Sequence, residues 1–115
     1  MATHDIGDTV RLWAAFFDEA GDQTAPGLVT LIVRSPDGTD TTVANEAAVE
    51  ADLDIASAAV GTTLATETGV YKASVQVDQA GFWYYEWTGV GTVDEVQPGG
   101  WEVPRRRVGD PVVTP

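Results

Sequence analysis

The sequence predicts an all-β fold, an antiparallel sandwich of about seven strands. Three observations carry that expectation: stretches of period-two hydrophobic alternation separated by turn residues, a composition rich in Thr, Val, Gly and aromatics, and the absence of βαβ alternation. β-Branched and aromatic side chains suit a pleated, half-buried surface, whereas the scarce Lys, Met and Gln are helix formers. At 115 residues the chain fits one core, because halving it would leave each part too small to bury enough surface. The sandwich is expected over residues 1–103. An extended arm is expected over 104–115, where Pro104, Pro111 and Pro115 lack the N–H that a sheet interior requires.

Val10, Leu12, Ala14 and Phe16 alternate with Arg11, Trp13, Ala15 and Phe17, which makes 8–17 the first strand. Asp18 to Asp22 supplies turn residues, and Pro26-Gly27 precedes the second strand, Leu28 to Arg34, whose Leu31 and Val33 belong to the expected core. Ser35-Pro36-Asp37-Gly38 fits a tight turn into a polar edge strand at 39–43, so these two strands form a hairpin. The stretch 45–66 admits strand, helix or loop. Its Ala content allows a short helix, but Val49, Ala51, Leu53 and Ile55 alternate with Glu50, Asp52 and Asp54, which favours a strand at 48–55.

Gly69 opens a strand at 70–77 in which Tyr71, Ala73, Val75 and Val77 share one face, leaving Lys72, Ser74 and Gln76 toward solvent. Asp78 to Gly81 turns into Phe82 to Thr88, the expected central core strand, with Trp83, Tyr85 and Trp87 inward. A looser Gly-rich connection then leads to a last short strand, Trp101-Glu102-Val103. Leu12, Leu31, Val33, Tyr71 and Val75 complete the expected core.

Charge and composition exclude several functions. A net charge of −12 repels phosphate backbones and anionic lipid. No apolar run approaches the roughly 20 residues of a membrane helix, and Met1 to Asp5 lacks a secretory pattern, so synthesis in the cytoplasm is expected. With no cysteine, there is neither a disulfide framework nor a thiolate metal site. His4, in the N-terminal lead, is the only histidine and no Gly-x-Ser-x-Gly occurs, so a nucleophile–histidine pair would have to be built from the chain terminus and no enzyme is expected. Glu50, Asp52 and Asp54, with Asp40 or Glu46, lack the Gly-punctuated spacing of a calcium loop and are expected to form a solvated strand face. Gly89-Val90-Gly91 and Gly99-Gly100 lack the strand-to-helix context of a phosphate loop and are expected as turns. No cofactor is expected.

Two features point to protein contacts. Phe82 and Tyr84 fall on the face opposite Trp83, Tyr85 and Trp87, where exposure would mark a contact surface, and Trp13 and Phe17 raise the same question on the first strand. Arg105-Arg106-Arg107 follows a body, 1–103, that carries 17 acids against Arg11, Arg34 and Lys72, a net of −14. An arginine fork pairs well with carboxylates, so this tract suits an acidic face of a neighbouring copy or another protein.

Asp5-Ile6-Gly7-Asp8-Thr9-Val10, Arg34-Ser35-Pro36-Asp37-Gly38, Thr68-Gly69-Val70-Tyr71 and Asp78-Gln79-Ala80-Gly81-Phe82-Trp83-Tyr84-Tyr85-Glu86-Trp87 occur in this order. Over residues 5–103 the set resembles the small immunoglobulin-like proteins of tailed-phage virions, encoded among head and head-to-tail connector genes. That resemblance implies an immunoglobulin-like sandwich located in the virion as a head decoration or minor capsid protein. A neck or tail-associated position is the second reading, because no connector helices follow. The implied partners are the major capsid protein or neck and connector proteins, with homo-oligomers on the particle and no nucleic acid or membrane. From another class, a carbohydrate- or host-surface-binding immunoglobulin-like module fits the exposed aromatics.

Overall fold

A computed structural model describes residues 6–104. His4, Arg105, Arg106 and Arg107 lie outside the described residues, as does nearly all of the expected arm. The strands are β1 (Thr9–Ala15), β2 (Leu28–Arg34), β3 (Asp40–Val43), β4 (Glu46–Ala47), β5 (Val70–Gln76), β6 (Gly81–Val90) and β7 (Glu95–Val103). They form two antiparallel sheets, ordered β1-β5-β4 and β3-β2-β6-β7. The fold is therefore a β-sandwich.

Period-two alternation explains why the sheets face each other. Val10, Leu12 and Ala14 of β1 and Ala73 and Val75 of β5 turn inward, against Leu31 and Val33 of β2 and Trp83 and Trp87 of β6. Leu31, Phe16 and Trp87 are wholly buried, and Tyr71, Tyr85 and Trp101 pack half-buried at the margin. Each fully buried side chain of this size contributes roughly 1.5–3 kcal/mol. Trp83 and Trp101, opposite each other on β6 and β7, stack at 5.7 Å with planes 6° apart. The hairpin of β2 and β3 turns at Ser35 to Gly38, where Asp37 Oδ1 accepts from the Ser35 hydroxyl at 2.5 Å and the Thr39 N–H at 3.0 Å.

Residues 48–55 do not form the expected strand. A 3₁₀ turn, Glu50–Asp52, leads into helix α1, Leu53–Val60. The alternation of Val49, Ala51, Leu53 and Ile55 loses to a helical stripe, Leu53, Ala56 and Val60, at spacings of three and four. Asp52 Oδ2 accepts the Val49 N–H at 3.0 Å, and Gly61, left-handed at φ 81°, closes the helix by donating to the Ser57 carbonyl. A second correction concerns the Gly-rich connection. It is the nine-residue strand β7, so Gly99 and Gly100 are strand residues rather than turns, while Gly89 and Val90 finish β6.

α1 lies over the outer face of the three-stranded sheet. Ala15, Ala48, Ala56, Leu64 and Val70 make a second, smaller core, with Trp13, Phe17, Leu53 and Val60 packed at its edge. Alanine on helix and sheet lets the backbones approach closely. Lys72, expected in solvent, is instead half-buried and donates to Asp52 Oδ2 at 2.7 Å.

Candidate functional site

The outer face of the β3-β2-β6-β7 sheet has no element over it among the described residues. Register sets its rows. Tyr84 stands between Arg34 of β2 and Gly100 of β7, and Glu86 stands between Ile32 and Pro98. Phe82, one step along β6, faces Glu102; Leu28, Val90 and Val96 occupy the far end. Exposure is large for side chains of this kind: Tyr84 55%, Phe82 47%, Leu28 60% and Val96 54%. Singly exposed apolar residues are ordinary on a protein surface; here they recur along one sheet face, interspersed with Thr30, Thr88, Arg34, Glu86 and Glu102.

The two exposed rings form a unit. Phe82 and Tyr84 lie 4.9 Å apart at 37°. A Cβ on Gly100 would come within 2.8 Å of the Phe82 ring and 2.6 Å of the Trp83 carbonyl, so glycine there lets Phe82 lie flat across β7. On the inner side, a Cβ on Gly99 would meet the Tyr85 ring at 2.3 Å. The two glycines thus make β7 thin where aromatic rings of β6 cover it from both sides.

Beside the ring pair is a shallow groove of about 330 Å³, bordered by Ile32, Arg34, Asp40, Tyr84, Glu86 and Pro98. Arg34 Nε and Nη2 donate to Asp40 Oδ1 and Oδ2 at 2.6 and 3.0 Å, a bidentate pair across β2 and β3. This pairing raises the Arg34 pKa, with a smaller contribution from nearby Glu86, and lowers that of Asp40. Glu86 itself makes no ion pair or hydrogen bond among the described residues. It is an exposed carboxylate in the middle of an apolar field.

The remaining candidates are scattered. Trp13 and Phe17 are half-buried beneath α1. Asp52 and Glu46 converge on Lys72, at 2.7 and 3.9 Å, whereas Asp40 is held by Arg34 on the other sheet, and no group of three or more acids placed to hold a metal ion occurs among the described residues. At the β2–β3 turn, hydrogen bonds from Ser35 and Thr39 hold the Asp37 carboxyl down at about 2. The apolar residues Leu28, Ile32, Val90, Val96 and Pro98 of the bare face were not among the sequence candidates. For Leu28 and Ile32 the signal was the run Leu28-Val29-Thr30-Leu31-Ile32-Val33, apolar on both faces of one strand except at Thr30; no local pattern singled out Val90, Val96 or Pro98.

The chain matches no protein-family profile, no curated protein and no solved structure.

Proposed function

We propose that this protein is a non-enzymatic immunoglobulin-like module that binds other proteins through the bare face of its four-stranded sheet. We assign it to the virion of a tailed virus as a head decoration or minor capsid protein. The observation that carries the binding reading is the set of exposed apolar side chains around Phe82, Tyr84 and Ile32, over which no element lies among the described residues. The virion assignment rests on the resemblance of residues 5–103.

Support for the immunoglobulin-like reading comes from strand pairing. The orders β1-β5-β4 and β3-β2-β6-β7 correspond to B-E-D and C′-C-F-G of a variable-type domain, whose strands A and C″ have no counterpart among the described residues. At the start of β6, Trp83 Nε1 donates to the Gln79 carbonyl at 3.1 Å. That back-bond takes the place of the tyrosine corner at the equivalent bend. The usual inter-sheet disulfide is replaced by packing, with Trp87 wholly buried on β6.

On a shell, many copies bound through modest contacts become effectively permanent, because each later contact is intramolecular. The partner is then the major capsid protein, or a neck or connector protein. Gold-labelled antibody against this chain, applied to particles from a culture carrying the gene, is expected to decorate heads at regular density. Label confined to the head–tail junction moves the protein to the neck. Intact particles without label, with the chain left in the soluble fraction, refute the virion assignment.

A further inference from the structure

We propose that the bare sheet face receives the Arg105-Arg106-Arg107 tract of a second copy of this chain, with an arginine seated over Glu86 between Tyr84 and Pro98. The assignment rests on reading this face as a protein contact and does not depend on the virion reading.

Charge selects the occupant. Glu86 and Glu102 stand exposed among Ile32, Tyr84, Phe82 and Pro98, and Arg34, the face's own cation, is already committed to Asp40. A purely apolar partner would strip water from Glu86 without compensation, which is costly, whereas a cation set between apolar walls gains from the same exclusion of water. Arginine meets both demands. Its planar head stacks on the Tyr84 and Phe82 rings while its fork pairs with a carboxylate. Half of the six basic residues of the chain are concentrated at 105–107, and the other three, Arg11, Arg34 and Lys72, stand in the sandwich.

Chain reach selects a second copy over the same one. Glu86 is opposite Pro98, six residues before Pro104, hence about 20 Å back along β7 at 3.3–3.4 Å per residue. From Pro104 to Arg107 the backbone extends at most about 11 Å. The chain must also reverse direction just after Pro104, so within one copy an arginine meets Glu86 only with backbone and side chain stretched fully back along β7, whereas the tract of a second copy is under no such constraint. Between copies the contact is heterologous, tract to face, leaving one free tract and one free face to continue the array.

Sedimentation of the full-length chain tests this. Association is expected to grow with concentration and to weaken roughly tenfold between low and high salt, as screening of exposed charges requires. A variant carrying Glu86→Arg and another carrying Arg105→Ala, Arg106→Ala and Arg107→Ala are each expected to stay monomeric with unchanged circular dichroism. Mixed together, they are expected to stop at a one-to-one dimer, since only one intact tract–face pair is then available. A wild-type chain that remains monomeric overturns the proposal. So does association that survives Glu86→Arg, or a mixture that gives no dimer. These outcomes bear on the partner of this face alone; the gold-labelling experiment judges the virion reading separately.

Discussion

The outer faces of the two sheets began with similar side chains and ended differently. On the three-stranded sheet, Trp13, Ala15 and Val70 are roofed by α1, and Lys72, which shares that face with Arg11, is drawn under the roof's edge to Asp52. On the four-stranded sheet, Ile32, Phe82, Tyr84 and Val96 stay in water. Covering a face turns apolar area into stability at roughly 25 cal/mol per Å². Leaving it bare withholds that gain from folding. The first face therefore serves the fold, and the second is the one proposed to meet a partner.

Substitutions separate these roles. The largest effect is expected for Ala56→Glu, which forces a carboxylate into the wholly buried contact between α1 and the sheet. A loss of roughly 3 kcal/mol is expected in urea unfolding, with loss of helical circular dichroism. Equal stability of the variant would mean that α1 is not seated on this sheet.

A smaller, pH-dependent effect is expected at the edge of the roof. The hydrogen bond from Lys72, aided by the Val49 N–H, lowers the Asp52 pKa. A carboxyl whose pKa is lower in the folded state stabilises above its unfolded value of about 3.9 and loses that contribution as pH falls through the folded value. Wild type should exceed Asp52→Asn in melting temperature at pH 7, and the gap should close below pH ~4. A gap that persists at pH 2 would assign the difference to something other than this ionisation.

The smallest effect on stability belongs to the bare face. Tyr84→Ser is expected to shift unfolding by no more than about 0.5 kcal/mol, because the ring is more than half exposed. The same change is expected to reduce self-association and retention on particles, measured by light scattering and by co-sedimentation. A large stability loss with unchanged association would reverse the roles assigned to the two faces.

Much of the sandwich was legible locally. The strands at 28–34 and 39–43 and their hairpin follow from alternation and from the Ser35-Pro36-Asp37-Gly38 turn, both of which act over a few residues. The inward set Trp83, Tyr85 and Trp87 follows from the period of two along β6. Two segments misled. At 48–55 a chance alternation of acids and apolar residues imitates a strand, while the contacts that select the helix, Ala15 and Val70, lie far off in sequence. At 95–103 Pro98, Gly99 and Gly100 read as a loop, and become strand because β6 supplies both the hydrogen-bonding partner and the rings that fill the glycines' missing side chains.

The sequence by itself determined the strands at 28–34, 39–43, 70–77 and 82–88 and the hairpin joining the first two, because backbone sterics and the two-residue period are local. It also determined the acidic body and the basic tract. Only the tertiary structure decided that one outer face is roofed and the other bare, because that depends on where a short helix lands among strands distant along the chain. Phe82 and Tyr84 could be assigned to the outside of β6 from their spacing alone. That Ile32, Pro98 and an unpaired Glu86 stand beside them required the register of three strands.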